Sequence, residues 1–181
     1  MKDAIEDGAL GVPAPQPLPG DDTPMPYYFL GDDAFALRTW MMKPFSKRRM
    51  THEEKVFNYR ISRGRCIVEN AFGILGNRFQ CLLHTLRQEP RTVENILLAC
   101  MVLHNIMRLC YPGLQNAVLD QEDNDHNIIP GAWRDGLNMQ DVHNIVGGNR
   151  ATRAAKRQRE YLKHYFSAPV GAVAWQDNMV A

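Results

Sequence analysis

The chain has 181 residues, 45% hydrophobic and 23% charged, a length for one domain with a core and a composition that excludes wholesale disorder while leaving enzyme and binding module both open. Its longest uninterrupted apolar run, Ile96 to Leu103, is shorter than a bilayer-spanning helix needs, so no membrane span is predicted. The net charge of +1 conceals segregation: residues 1–37 hold one Lys or Arg against seven Asp or Glu, residues 38–91 twelve against four, residues 92–149 two against seven, and residues 150–181 six against two. Two basic blocks in a near-neutral chain point to a polyanion-facing surface, with a merely solvated cationic face as the alternative.

The opening residues, Met1 to Gly8, have neither the basic nor the apolar region of a secretory signal. A reducing compartment is therefore expected, with Cys66, Cys81, Cys100 and Cys110 as free thiols. Six prolines between Pro13 and Pro26 forbid regular helix and disfavour a central strand, so residues 11–26 read as an extended connector. Tyr27 to Leu30 has the aromatic character of a short buried strand, and Asp32 follows it, at the strand end where open α/β sheets place ligand-binding groups. A short helix is predicted over 34–42, closed before Pro44 because the residue ahead of a proline avoids helical geometry. Lys43 to Arg49 is a basic loop.

Thr51 and Glu54 stand in capping-box spacing, so a long helix should begin there. Phe57, Ile61, Val68, Phe72, Leu75 and Phe79 fall on one stripe of it, and Arg65, Glu69, Gly73 and Gly76 on the neighbouring face. Two glycines in a helix cost about 1 kcal/mol each, which suggests that something approaches the backbone there; a ligand and a tight helix crossing are both open. A second helix is predicted from Thr92 to Cys110. It is apolar nearly all round and is expected in the core. Residues 114–148 lack periodicity and read as a mobile connector, and Arg153 to Phe166 returns to an amphipathic helix.

Cleaving a phosphodiester with two metal ions about 4 Å apart requires carboxylates converging from separate elements, and hard oxygen ligands suit Mg²⁺. Asp32 after a strand and Glu69 on an arginine-rich helix have that chemistry. Pairing of Glu69 with Arg65 one turn away is the plain structural alternative. Five blocks add specificity: Tyr28-Phe-Leu-Gly-Asp-Asp-Ala-Phe-Ala-Leu37, Lys43-Pro-Phe45, Phe57-Asn-Tyr-Arg-Ile-Ser-Arg63, Val68-Glu-Asn-Ala-Phe-Gly-Ile-Leu75 with Arg78-Phe79, and Val102-Leu-His-Asn105. In that order they resemble the catalytic core of the PIF/Harbinger class of DDE endonucleases, over residues 27–110 and more loosely the C-terminal tail.

The resemblance implies an α/β, RNase H-like core and a divalent cation, Mg²⁺ or Mn²⁺, as cofactor. It matches Asp32 to the second catalytic carboxylate and Glu69 to the last, with Asp33 as second-choice ligand. It also implies a first aspartate on an opening strand, and nothing before Tyr27 reads as that strand. The expectation is an incomplete core with early strands missing, weakly active or inactive alone. The implied organisation is a helix remnant and proline-rich connector over 1–26, the endonuclease-like core over 27–110, a flexible acidic connector over 111–149, and a basic amphipathic helix and tail over 150–181. Lys43, Lys47, Arg48, Arg49, Arg60, Arg63 and Arg65 become candidates for DNA phosphate contacts, Arg60 and Arg63 foremost because they lie on the helix that presents Glu69. Nuclear residence and a Myb-like DNA-binding partner protein are implied by the resemblance alone.

Two rivals stand beside this reading. Cys81, His84, Cys100 and His104 offer four zinc-type ligands, although no Cys-x-x-Cys knuckle accompanies them; His104 and Asn105 are instead expected as hydrogen-bonded core groups. The other rival is a noncatalytic remnant that binds DNA or a protein partner through its basic helices.

Overall fold

The computed structural model describes residues 5, 7–46, 48–113, 118–135 and 150–180. These hold three α-helices, α1 (His52–Arg78), α2 (Pro90–Cys110) and α3 (Arg153–Ser167), and six two-residue strands: β1 (Gln16–Pro17), β2 (Pro24–Met25), β3 (Phe29–Leu30), β4 (Met41–Met42), β5 (Gln121–Glu122) and β6 (Ile128–Ile129). The strands form three separate pairs among the described residues. Among the described residues the content is α/β, without the one mixed sheet that the resemblance implies. The chain divides into two compact units, Met1–Arg65 with Val142–Ala181, and Cys66–Asp141.

In the first unit, β1 and β2 pair antiparallel, Gln16 opposite Met25 and Pro17 opposite Pro24. Prolines carry no N–H to extend such a ladder. β3 runs parallel to β4, with the Phe29 N–H donating to Trp40 O at 2.9 Å and the Gly31 N–H to Met42 O at 2.8 Å. The strand predicted over 27–30 is thus reduced to two residues, and Phe29 on it is exposed rather than buried. The helix predicted over 34–42 does not form: Arg38 and Met41 exchange backbone hydrogen bonds at 3.0 and 3.1 Å, and Met41–Met42 is strand. Asp32 gives the physical reason, since its side chain captures the Ala34 N–H at 2.9 Å, the local bond by which Asp favours turns over helix.

The capping box forms as the sequence predicts. Thr51 Oγ1 accepts from the Glu54 N–H at 3.3 Å and Glu54 Oε2 accepts from the Thr51 N–H at 2.9 Å, satisfying two donors at the start of α1. Phe57 and Ile61 then enter a core with Met25, Leu37, Met42, Phe45, Ala155 and Leu162. Phe45 meets Phe57 edge to face, centroids 5.1 Å apart. Asn58 ties Phe45 down by both backbone groups, accepting from its N–H at 2.7 Å and donating to its carbonyl at 2.9 Å. α3 closes this core with Ala155, Gln158 and Leu162 buried, and Thr152 caps its start by accepting from the Ala155 N–H at 3.1 Å.

The second unit contains the rest of α1, a 3-10 turn at Gln80–Leu83, α2, the β5–β6 hairpin and a 3-10 turn at Ala132–Arg134. Part of the stretch expected to be a featureless connector therefore carries elements of its own, with Trp133 buried. The hairpin turn is organised by Asp123, whose Oδ1 accepts from the Asp125 and Asn127 N–H groups at 2.9 and 2.8 Å. The apolar stripe predicted along α1 changes face here: Leu75 is buried but Val68 is 53% and Phe72 60% exposed, with Ile67 at 76%.

α2 departs furthest from expectation. Only Cys100 and His104 on it are buried, while Leu98, Met101, Val102, Leu103, Ile106 and Leu109 are exposed. The covering that an all-round apolar helix calls for is not supplied by the described residues. By length and composition alone α2 is also long and apolar enough to cross a membrane, in contrast to the expectation from its short uninterrupted apolar run. His104 is buried as expected, but its Nδ1 has no hydrogen-bond partner among the described residues, and Asn105 is exposed.

Candidate functional site

Asp32 lies in the first unit, directly after β3. Gly31 ahead of it is closely packed: a Cβ there would sit 2.7 Å from the Met41 Sδ and 3.1 Å from the Phe35 ring. Asp32 is half-buried, its Oδ1 engaged by the Ala34 N–H and its carbonyl by the Phe35 N–H at 3.3 Å. Its Oδ2 accepts no hydrogen bond among the described residues. The tight turn therefore fixes the carboxylate by one oxygen and leaves the other available to a hard cation or a water. Asp33 is exposed and faces Lys43, whose Nζ lies 3.7 Å from its Oδ1 and donates to its carbonyl at 3.1 Å.

Glu69 lies in the second unit, half-buried on α1, beside a polar cluster that the next residue organises. Asn70 is buried. Its Oδ1 accepts from the Trp133 indole N–H at 2.6 Å and from the Asp120 N–H at 3.0 Å. Asp120, its side chain 1% exposed, accepts from Arg134 through both oxygens, at 2.9 Å from Nε and 2.5 Å from Nη2, and from the Gly131 N–H at 2.8 Å. The hydrogen bond from Arg134 is the largest cause holding the Asp120 carboxyl below its ordinary range. Burial first, then Asp120 and Glu69, push the Cys66 thiol up, and Glu69 also helps raise Arg134. Glu69 thus acts on Cys66 and Arg134 through its charge.

The residues that receive this cluster, Cys66, Asn70, Gly73 and Asn77, recur at helical spacing. A Cβ on Gly73 would lie 2.0 Å from Trp133 Cε3. The close approach that the glycine signals is thus an indole from the same chain, and the stripe that accepts it is one residue off the Arg65–Glu69–Gly73–Gly76 face read from the sequence. Asn70 and Gly73, three residues apart within the Val-Glu-Asn-Ala-Phe-Gly block, were the available signal. Their partner Trp133 could not be found by local pattern because it lies far along the chain.

The predicted basic residues separate by what they touch. Arg60 is committed internally: its Nη1 donates to Gly171 O at 3.0 Å and Gln176 Oε1 at 3.2 Å, and its guanidinium lies 4.8 Å from the Phe166 ring centroid. Arg63 and Arg65 are half-buried and have interactions of their own. Lys43 faces Asp33. Arg48 and Arg49 are exposed, Arg49 with a backbone φ of 52° that a long side chain seldom adopts. Lys47 lies outside the described residues.

Among the described residues no three His, Cys, Asp or Glu side chains converge as a metal-binding group. The zinc set of Cys81, His84, Cys100 and His104 does not assemble, and all four cysteines are free thiols. Asp32 and Glu69 belong to separate units, and the described residues do not by themselves complete a divalent-cation site.

Residues 13–105 match the family described as DDE superfamily endonuclease, a segment that contains both Asp32 and Glu69. The chain belongs to the DDE superfamily endonucleases. It is 39% identical over 82 residues to proteins named "Putative nuclease HARBI1" from Bos taurus and from Homo sapiens, covering 44% of this chain and 23% of each relative. The corresponding Mus musculus protein is 34% identical over 86 residues, 46% of this chain and 24% of its own length. The match spans about a quarter of the length of these curated relatives. No solved structure matches. For a DDE superfamily endonuclease, the matched segment includes α1 and most of α2, whereas the β5–β6 hairpin, Trp133 and α3 lie beyond it.

Proposed function

We propose that this chain is a segment of a DNA-cleaving DDE endonuclease domain of RNase H-like fold, in which Asp32 and Glu69 are the second and last carboxylates of a Mg²⁺ or Mn²⁺ site. The observation that carries the reading is the family match over residues 13–105, a range that includes both carboxylates. Support comes from Asp32, held by its turn through Oδ1, and from the half-buried placement of Glu69 on α1, where its charge acts on Arg134 and Cys66. On this reading the segment alone is weakly active or inactive, which agrees with the lack of a three-ligand metal group among the described residues, and no catalytic step is assigned to it in isolation. The proposal extends to action in the nucleus and to a Myb-like DNA-binding partner, both supported by family resemblance alone.

Mn²⁺ titration of the whole chain, beside Asp32→Ala and Glu69→Ala, tests the site. Weak binding by wild type that either variant abolishes is the expected result; equal binding by all three would remove Asp32 and Glu69 from the site. Robust Mg²⁺-dependent cleavage of supercoiled plasmid by the chain alone, lost in Asp32→Ala, would overturn the assignment of inactivity. A noncatalytic DNA- or protein-binding remnant is the second reading, favoured by the same lack of a third ligand. It is distinguished by DNA binding that is indifferent to metal and to both substitutions.

A further inference from the structure

α3 carries its cations in three different ways. Arg159 is built into the first unit: its guanidinium stacks 4.0 Å from the Phe45 ring centroid and donates to Pro44 O at 3.2 Å. Lys163 is paired, 2.6 Å from Glu160 and 3.8 Å from Glu53. Arg150, Arg153, Lys156 and Arg157 are different. All four are exposed, and none of their side chains makes an ion pair or hydrogen bond among the described residues.

Their position is unfavourable for the helix that bears them. Arg153, Lys156 and Arg157 occupy its first two turns, where the macrodipole opposes positive charge, and its first turn has no acidic residue to compensate. Arg153 and Arg157 are one helical turn apart, so they repel each other as well. Neither packing nor pairing explains the placement: the buried residues Ala155, Gln158 and Leu162 lie on the opposite side. Meanwhile the scaffold beneath is well fixed. Gln158 donates to Thr39 O at 3.0 Å, Arg38 donates to Arg150 O at 2.8 Å, and Thr152 caps the first turn. A rigid helix start that gathers unneutralised cations against local rules is a mark of function rather than stability.

We propose that the outward face of the first two turns of α3, formed by Arg153, Lys156 and Arg157 with Arg150 ahead of them, binds the phosphate backbone of duplex DNA. Arg153 and Arg157 are separated by about 6 Å along the helix axis, comparable with about two steps of 3.4 Å along one DNA strand, so both reach the same strand. Contacts of this kind position the duplex without reading its sequence. This face was absent from the sequence-derived candidates, and it lies beyond the segment that matches the endonuclease family. The inference rests on the DNA-directed reading of the protein but not on metal binding at Asp32 or Glu69.

The test is fluorescence anisotropy of a labelled duplex with the full chain in EDTA, measured across a salt series. The arms are wild type, Arg153→Ser with Lys156→Ser and Arg157→Ser, and Arg48→Ser with Arg49→Ser. Loss of three phosphate contacts should lower the slope of log affinity against log salt by about 2.7 and weaken low-salt binding at least about tenfold. Far-UV circular dichroism of the α3 variant should be nearly unchanged, because the replaced side chains are exposed and make no ion pair or hydrogen bond among the described residues. An unchanged slope in the α3 variant overturns the proposal, as does failure of wild type to bind duplex at low salt. Displacement of duplex by polyglutamate at equal charge concentration would also overturn it, in favour of an acidic protein partner. If α3 carries the binding while Asp32→Ala and Glu69→Ala leave Mn²⁺ binding intact, the nuclease reading fails and this inference stands.

Discussion

At Gly73 an added methyl group would lie 2.0 Å from Cε3 and 2.2 Å from Cζ3 of Trp133, a distance no side-chain adjustment absorbs because the ring is buried and hydrogen-bonded to Asn70. Gly73→Ala should therefore destabilise the second unit by about 1–3 kcal/mol as overpacking does, lowering its urea midpoint by circular dichroism. Gly64 supplies the contrast. Its added Cβ would meet only the tip of Leu30, Cδ1 at 2.5 Å, and the roughly 0.5–1 kcal/mol gained by Ala over Gly in a helix should leave Gly64→Ala near neutral. Asp120 gives the residue-scale pH prediction. Its folded pKa is depressed, first by Arg134, so its contribution is fully present above the unfolded carboxylate value of about 3.9 and is lost as pH falls through the folded value. Denaturation of wild type from neutral pH to pH 2 should show this loss, whereas Asp120→Asn should begin less stable at neutral pH and lack that part of the decline.

Among the elements, α1 was the most legible, because Thr51 and Glu54 announce its start and Phe57 and Ile61 its buried face. Thr51→Ala should cost about 1 kcal/mol, read as a lower thermal midpoint. The second half of α1 departs from its hydrophobic pattern, since Val68 and Phe72 are exposed while Asn70 and Gly73, with Ile74 and Leu75, are buried. Hydrogen bonding by Asn70 decides that choice, and a hydrophobic pattern does not register it. The short strands were overestimated for a related reason: Asp32 turns the chain immediately after Leu30. For α2 the sequence showed an all-round apolar helix but not what covers it. Because Leu98, Val102 and Leu109 are exposed, the folded chain should bind the dye ANS. Replacing those three with Glu should weaken the fluorescence gain while leaving helix content unchanged; undiminished dye binding would place the responsible apolar surface elsewhere.

For the whole molecule, charge segregation was legible early, but its assignment was not. The α1 arginines looked most suited to DNA because they flank Glu69, yet Arg60 is held against Gly171, Gln176 and Phe166, while Arg153, Lys156 and Arg157 on α3 are exposed. Linear charge counts cannot separate a guanidinium stacked on a ring from one in water. Membership of the endonuclease family was legible through ordered motifs, and the roles of Asp32 and Glu69 within it are the proposal that rests on those blocks. The cluster of Asp120, Trp133 and Arg134 was not, since each meets α1 only through the fold. The packing of that indole has an optical consequence. Trp40 and Trp175 belong to the first unit and Trp133 to the second, so a chain with Trp40→Phe and Trp175→Phe holds one chromophore that monitors the second unit by itself. Shielded and hydrogen-bonded at 2.6 Å, it should emit at short wavelength when native and move to the red as that unit opens in denaturant.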